Sequence, residues 1–240
     1  MSSRLAALEG RALNFDPTAI DLRHPPAGWH LDDRFQPLTQ ERPGPPEPDG
    51  SWAIAGRLIR GYEFADPSIV RAFYDEATPM EGRNMVLELR ALNVVKVYVG
   101  VRVGSVYDEH RTVDRRVVRV FGWNYRTLEG HVERGQMDWE VWKWLDSGEV
   151  SFHVHSVSQT ATIRNPAIRV GFWLLRDHER GLFLDSTDRR MRTLTEVGLQ
   201  RQGRARRIQV ASDSLTARSL SAEDRAHDAL AWRVERGDGG

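Results

Sequence analysis

The fold is decided by residues 85–157, which contain five similar runs: MVLELR (85–90), VVKVYVGVRV (94–103), VVRVFGWNY (117–125), DWEVWKWL (138–145) and EVSFHVHSV (149–157). These runs are rich in β-branched and aromatic residues, which pack well on the pleated surface of a strand. The connections are too short for crossover helices, so we expect mostly antiparallel strands. The loop Asp146-Ser147-Gly148 predicts a hairpin between the last two runs.

Two sequence signals typical of a helix N-terminus flank these strands. Asp66-Pro67 places a capping carboxylate before a first-turn proline and predicts a short helix over residues 67–77. Asn165-Pro166 repeats the signal, and apolar residues at helical spacing continue as far as Leu194, which predicts a long helix against one face of the sheet. The chain is therefore expected to be an α+β protein with an antiparallel sheet and a long C-terminal helix.

The ends of the chain differ from this middle part. Residues 1–50 are loosely patterned and close on ERPGPPEPDG (41–50), whose prolines lack the backbone donor that helices and strands need, so we expect a Pro-rich N-terminal arm. One domain is expected over residues 51–198, followed by a charged extension over residues 199–240. The basic cluster in this extension has no interleaved aromatic residues to stack on bases, which favours a solvated surface over a nucleic-acid site. Its members are Arg201, Arg204, Arg206 and Arg207.

Composition and charge exclude several classes of function. Lys plus Arg and Asp plus Glu number 34 each, so no overall positive field is present to attract nucleic acid. The absence of cysteine removes disulfides, thiolate nucleophiles and Cys-based metal centres. No apolar run has the length of a signal peptide or a membrane span, so we expect a cytoplasmic protein. No nucleotide-binding, hydrolase or zinc-protease motif occurs, and no cofactor is expected.

His153-Val154-His155 is the first candidate site. Alternate residues of a strand project from one face about 7 Å apart, close enough for two imidazoles to reach one metal ion. The following SVSQTAT (156–162) offers no carboxylate to complete a set of ligands. A solvated or hydrogen-bonded face is therefore favoured over a metal site, and both interpretations stay open.

The second candidate site is the block Trp123–His131, where an aromatic strand runs into a polar turn. Glu129 and His131 are suited to acid–base chemistry. Other side chains of the block could anchor the polar end of a ligand, namely Asn124, Tyr125 and Arg126. The alternative is an exposed turn whose polar side chains satisfy backbone groups. The residue types alone do not decide between the two.

Four stretches of the chain form an ordered pattern: GYEFADPSIVRAFYDEATPMEGRNMVLELR (61–90), VGVRVGSVYD (99–108), FGWNYRTLEGHVERGQMDWEVWKWLDSGEVSFHVHSVSQ (121–159) and NPAIRVGFWL (165–174). Together they resemble the UPF0548 (DUF1990) family, a domain of unknown function. The most specific part is aromatic-Gly-x-x-Tyr-x-Thr-Leu-x-Gly-His at residues 121–131. The chain departs from the family pattern at Arg126, where the family has Gly, at Gln136-Met137, where it has two glutamates, and at Ser158-Gln159-Thr160, where it has Ser-Arg-Pro.

The resemblance implies a START-like (SRPBCC) helix-grip fold, in which a curved antiparallel sheet wraps a long C-terminal helix and encloses a hydrophobic cavity. It supplies no known reaction, because a shared fold implies only a class of function. The first hypothesis is therefore a protein that binds a small hydrophobic or amphipathic molecule between sheet and helix. In this hypothesis Trp123, Tyr125 and Trp142 contact the ligand, and the polar residues of the second candidate site meet its polar end.

Two further hypotheses follow in order. One is a cyclase-, dehydratase- or hydrolase-like enzyme on the same scaffold, with His131 and Glu129 as acid and base. The other is a metal-binding protein that uses His153 and His155. The sequence leaves the oligomeric state and the identity of any ligand open.

Overall fold

The computed structural model describes the backbone of residues 1–91, 95–161 and 166–211, and the side chains of residues 1–90, 96–161 and 178–203. Within these residues the chain forms three helices and seven strands. In chain order they are α1 Ser2–Ala6, β1 His30–Pro37, α2 Ser51–Arg60, β2 Val70–Phe73, β3 Asn84–Ala91, β4 Val95–Val113, β5 Arg116–Thr127, β6 Glu133–Trp144, β7 Val150–Thr160 and α3 Pro166–Ala211. No helix in the described part of the chain has the length and apolarity needed to pass through a bilayer.

The seven strands form one antiparallel sheet in the order β1-β7-β6-β5-β4-β3-β2. The pairing of β4 with β5 shifts between Val103 and Val106, an irregularity of the kind that bends and twists a sheet. The five strands predicted from residues 85–157 are confirmed as β3 to β7, and the predicted hairpin joins β6 to β7. The α+β class is confirmed, with a curved antiparallel sheet packed on a long C-terminal helix.

One face of the sheet, which we call the inner face, carries the hydrophobic core. Trp123, Trp139 and Phe152 stand on it almost without solvent exposure. Helices α2 and α3 cover this face with apolar side chains spaced as on one stripe of a helix. These side chains are Ile54, Ala55, Leu58 and Ile59 of α2 and Leu184, Met191 and Leu194 of α3. The side chains that alternate with the core residues along each strand form the outer face.

The helix predicted over residues 67–77 is wrong, because this segment contains β2. Asp66 does act as a cap, but of a turn: its carboxylate accepts hydrogen bonds from the backbone N–H and the hydroxyl of Ser68. The chain then pairs with β3 and buries Ala72 and Phe73, and this contact with a neighbouring strand outweighs the local helix signal. The long C-terminal helix begins at Pro166 as predicted, while its expected cap, Asn165, lies outside the described residues.

The segment expected to be a loosely structured arm contributes an edge strand. β1 pairs with β7 along its whole length, from His30 opposite Ser158 to Pro37 opposite Ser151. Residues 30–37 thus belong to the sheet. The expected boundaries at residues 50 and 198 stay a prediction. Residues 212–240 of the expected C-terminal extension lie outside the described residues, as do the side chains of its basic cluster beyond residue 203.

Candidate functional site

The residues predicted to contact a ligand stand on both faces of the sheet. Trp123 and Tyr125 point to the inner face and belong to the core. Asn124 and Arg126 alternate with them on β5 and therefore point to the outer face. Trp142 of β6 also lies on the outer face, in a separate small cluster with Val118 and Val120. The structure thus brings Trp123 and Tyr125 together and separates them from the other three residues.

The outer face has a polar centre at Glu140 of β6. This carboxylate is buried, and its Oε1 accepts hydrogen bonds from the Tyr107 hydroxyl at 2.6 Å and from Arg111 at 2.8 Å. Its Oε2 accepts the indole N–H of Trp142 at 2.6 Å and lies 2.8 Å from Nδ1 of His153. Burial alone would raise the pKa of Glu140, but the hydrogen bonds from His153 and Tyr107 and the charge of Arg111 outweigh it and lower the pKa to about 2.

His153 and His155 share the outer face of β7, as their spacing predicted, and a third group joins them from β1. Asp33 lies opposite His155 in the pairing of β1 with β7. Its Oδ1 is 2.5 Å from Nε2 of His153 and 3.4 Å from Nδ1 of His155. The remaining nitrogen of His155, Nε2, is 2.8 Å from the carbonyl oxygen of Leu22. Phe35 stacks on the His153 ring with centroids 4.0 Å apart.

The two acids of this group favour the charged form of His153. Burial by itself would lower the pKa of His153, but its hydrogen bonds to Glu140 and Asp33 and their negative charges raise it. The pKa of Asp33 is correspondingly lowered, because its contacts with His153 and His155 outweigh its partial burial. These groups form a compact network of opposite charges in which every heteroatom of the two imidazole rings has a partner.

A second acid on the outer face has the opposite pKa shift from that of Glu140. Burial raises the pKa of Asp138 to about 6, and the charge of Glu140 adds to the rise. The amide of Gln136 donates to both Asp138 oxygens, at 3.0 and 3.1 Å. Neighbouring carboxyl groups whose pKa values are pushed apart in this way can hold and release a proton near neutral pH.

His131 and Glu129 are not in contact. Glu129 is exposed in the turn after β5, whereas His131 is buried and its Nδ1 accepts the backbone N–H of Glu133 at 2.9 Å. In the part of the chain that the structure describes, no hydrogen bond or ion pair joins the two side chains. Burial lowers the pKa of His131 to about 4, so its ring is neutral at pH 7 and is able to accept a proton but not to donate one as an acid. A joint acid–base role for these two residues stays a prediction.

Acid is expected to destabilise the protein through His131. The unfolded chain protonates this imidazole near pH 6.5 and the folded protein only near pH 4, so stability falls as the pH drops between these values. His131 should contribute a loss of about 2–3 kcal/mol in the free energy of unfolding between about pH 7 and about pH 4.5. Asp138, whose pKa is raised, contributes in the opposite direction over the same range, so the His131 contribution is measured as a difference between two proteins. His131→Asn keeps an acceptor for the Glu133 N–H and removes the titrating ring, so on acidification in a series of urea titrations it should lose about 2–3 kcal/mol less than the unaltered protein. Equal pH dependence in the two proteins would contradict this assignment.

The inner face contains buried polar atoms that have no hydrogen-bond partner among the described residues: the Tyr62 hydroxyl, the Trp139 indole N–H and the Thr187 hydroxyl. Tyr62 and Trp139 meet edge to face, with ring centroids 6.2 Å apart. Thr187 lies on the core-facing stripe of α3, three residues after Leu184. Burial raises the pKa of Tyr62 well above its usual range, and the charge and polar contact of the nearby Tyr125 hydroxyl raise it further, although the two hydroxyls do not form a hydrogen bond of normal geometry. Such atoms are rare in native proteins, because each costs about 1–3 kcal/mol when it is left unpaired.

Several residues of these sites were not predicted from the sequence, among them Glu140, Asp33 and Tyr62. Glu140 could have been predicted, because the hairpin loop between β6 and β7 sets a register that places it opposite His153. Asp33 has no such signal, since it lies 120 residues before His153 in the chain. Tyr62 lies in one of the stretches that resemble the family, but the sequence does not show that its hydroxyl is buried without a partner.

Comparison with known proteins gives one family and a set of distant structures. The model of DUF1990, a domain of unknown function, matches residues 16–191. No functionally curated protein matches the sequence. The crystal structure of Ara h 8.0201 shares 12% identity, with 68% of this chain and 98% of that chain covered and a TM-score of 0.35. The structure of the protein of unknown function SA2116 from Staphylococcus aureus shares 10% identity, with 71% and 99% covered and a TM-score of 0.32.

Proposed function

This chain belongs to the DUF1990 family, a domain of unknown function, and we propose that it binds a small, uncharged amphipathic molecule between the inner face of the sheet and helix α3. The observation that carries the proposal is a set of buried polar atoms, on Tyr62, Trp139 and Thr187, that have no hydrogen bond of normal geometry to any described residue. A ligand that offers an oxygen atom to these groups would satisfy them, and its apolar part would pack against the aromatic core.

The donor and acceptor types of these atoms indicate the chemistry of the ligand's polar end. The indole N–H of Trp139 only donates, whereas the hydroxyls of Tyr62 and Thr187 both donate and accept. The group that pairs with them must therefore include an acceptor, as a carbonyl or hydroxyl oxygen does. The polar end of the ligand is expected to be uncharged. An anionic end would need a free cation, and Arg180, whose positive charge acts on the Tyr125 hydroxyl, is already paired with acids. These acids are Asp32 and Glu133.

The apolar part of the ligand would contact the large rings of the inner face. Trp123 and Tyr125 stay in this contact set, and Phe152 joins them from β7, where its ring stacks on Trp139 with centroids 6.1 Å apart. Asn124, Arg126 and Trp142 are left out of this site because they lie on the outer face. A cytoplasmic location and the domain boundaries expected from the sequence remain parts of the proposal.

Tyr62→Phe is expected to weaken ligand binding by about tenfold or more, because it removes one hydrogen bond to the ligand and keeps the ring. The same change should leave the ligand-free protein as stable as before, or more stable by about 1 kcal/mol, because the lost hydroxyl was buried and unpaired. Binding is measured by displacing the dye 1-anilinonaphthalene-8-sulfonate with a steroid ketone and with a long-chain alcohol. A hydrocarbon of similar size without oxygen serves as the reference competitor. Stability is measured by urea unfolding of the ligand-free protein.

Tyr74→Phe is the matched control. The Tyr74 hydroxyl is also buried, but it donates to the Gly61 carbonyl at 3.1 Å. Its loss should destabilise the protein by about 1 kcal/mol and leave the affinity for both competitors unchanged. The proposal fails if neither oxygen-bearing competitor displaces the dye better than the hydrocarbon. It also fails if Tyr62→Phe lowers stability as Tyr74→Phe does and does not change the affinity.

A further inference from the structure

Asp33, His153 and His155 form the most convergent group of electron-pair donors among the described residues. One ligand atom from each, namely Oδ1 of Asp33, Nε2 of His153 and Nδ1 of His155, lies within 4.8 Å of the other two. The group is on the outer face of the sheet, where the edge strand β1 pairs with β7. It is therefore separate from the inner face on which the proposed ligand binds, and neither inference depends on the other.

The outer contacts of the two rings determine which nitrogens are available to bind a metal ion. Nε2 of His155 lies 2.8 Å from the Leu22 carbonyl oxygen, which only accepts, so this nitrogen carries a proton. Nδ1 of His153 lies 2.8 Å from the carboxylate of Glu140, which also only accepts, so it carries a proton as well. In the metal-free protein a protonated His153 donates to Asp33 through Nε2, and the carboxylate balances its charge. A metal ion that replaces this proton would meet lone pairs on Nε2 of His153 and Nδ1 of His155 and the carboxylate oxygen of Asp33.

This arrangement has the outer contacts that are usual around metal-bound histidines. A ligating imidazole normally donates its second N–H to a carboxylate or a backbone carbonyl, which fixes the tautomer and the ring orientation. His153 makes the first kind of contact and His155 the second. Glu140 is itself held by Tyr107, Arg111 and Trp142, so the support behind His153 is rigid.

The distances require only a small adjustment of Asp33. A tetrahedral zinc ion with bonds of about 2.0–2.2 Å places its ligand atoms about 3.3–3.6 Å apart. Oδ1 of Asp33 already lies 3.4 Å from the His155 nitrogen and 2.5 Å from the His153 nitrogen. The Asp33 side chain is 52% exposed, so it is free to move outwards and leaves the fourth position open to water.

We propose that Asp33, His153 and His155 bind one divalent transition-metal ion of the Zn²⁺ type, supported from behind by Glu140 and the Leu22 carbonyl. Two imidazoles and one carboxylate are a set of ligands that suits Zn²⁺. Asp33 supplies the carboxylate that the sequence after His155 lacks.

Zn²⁺ itself is the probe, added to the full chain without a histidine tag in competition with a chromophoric chelator. We expect one Zn²⁺ per chain in the unaltered protein. Glu140→Gln should weaken Zn²⁺ binding about 10–100-fold, as is typical of outer contacts. Asp33→Asn and His155→Ala each remove a ligand and should weaken binding by more than that. Asp33 is half exposed, so its variant tests the proposal even if Glu140→Gln proves unstable in thermal unfolding.

His110→Ala is the matched control, because it also removes a histidine, but an exposed one on β4 whose Nδ1 lies 3.3 Å from an Arg119 nitrogen. This variant should bind Zn²⁺ as the unaltered protein does. Co²⁺ gives a second measurement, since a four-coordinate site produces strong visible absorption that Asp33→Asn should abolish. The proposal is overturned if no stoichiometric Zn²⁺ binds, or if binding survives both Asp33→Asn and His155→Ala.

Discussion

Lys143→Met is expected to destabilise the protein by about 3–5 kcal/mol, because it leaves a buried carboxylate without its cation. The Lys143 side chain is fully buried, and its Nζ donates to Glu41 at 2.5 Å and to the Pro45 carbonyl at 3.0 Å. Methionine fills a similar volume but offers no charge and no donor. The measurement is the free energy of unfolding from a urea titration at neutral pH.

This ion pair anchors the Pro-rich stretch over residues 41–50 to the sheet. The Glu41 carboxylate accepts the backbone N–H groups of Glu47 at 2.9 Å and of Trp52 at 2.8 Å. It therefore joins that stretch to the start of α2, while Lys143 connects it to β6. In Lys143→Met we expect faster amide hydrogen exchange at Glu47 and Trp52. The Glu41 carboxylate that accepts their N–H groups is then unpaired, and its exposure to water opens these hydrogen bonds.

Two further variants separate burial from charge pairing. Glu41→Gln combined with Lys143→Met removes both charges and should recover part of the lost stability, because no uncompensated charge stays buried. Asp108→Asn breaks a 2.8 Å ion pair between a half-exposed carboxylate and Arg119 and should leave the urea midpoint nearly unchanged. A Lys143→Met protein with the midpoint of the unaltered protein would contradict the importance of this buried pair.

Gly135→Ala is expected to destabilise the protein by about 4 kcal/mol or to prevent its folding. Gly135 has a φ of +153°, a conformation that costs other residues about 1–3 kcal/mol. A Cβ at this position would also overlap the Val157 carbonyl oxygen of β7 and lie 2.8 Å from the Cα of Ser158. Because the neighbouring strand must move, a ladder hydrogen bond is lost at a cost of about 1–3 kcal/mol. The yield of folded protein and its urea unfolding measure the effect.

Gly82→Ala provides the comparison for this clash. Gly82 has a φ of +77°, but a Cβ built on it meets no atom within 4 Å. Its substitution should therefore cost only the backbone strain, about 1–2 kcal/mol. If the two variants lose equal stability, the close approach of β7 to Gly135 has no energetic consequence and steric overlap does not account for the loss.

Local patterns in the chain were sufficient for most of the secondary structure. Strands β3 to β7 and the start of α3 were predicted because their signals lie within a few residues: branched and aromatic side chains, short loops and a first-turn proline. Residues 67–77 misled this approach, because a capping signal suited to a helix was used in a turn before β2. α2 was missed because it has a glycine, a poor helix former, at its middle position 56 and follows directly on a Pro-rich stretch.

The candidate sites, like the secondary structure, were predictable only where their residues lie close together in the chain. The two-residue period of a strand was enough to put His153 and His155 on one face. Trp123, Tyr125 and Asn124 were instead expected in one site, although the same period places Asn124 on the face opposite to the two aromatic residues. This period says nothing about which face is buried, because either face of a strand can meet a helix or solvent. Helices α2 and α3 cover the side that carries Trp123 and Tyr125, and this makes it the inner face.

Residues far apart in the chain complete both sites, and their meeting follows from the order and register of the strands. Asp33 reaches the two histidines because β1 adds to the edge of the sheet beside β7, and Glu140 reaches His153 across the hairpin. Sequence spacing and residue type are local properties, so they were enough for the elements and for the shared face of the histidine pair. Strand order, the buried polar atoms and the third residue of the proposed metal site depend on contacts between distant segments, which form only when the whole sheet has closed on its helices.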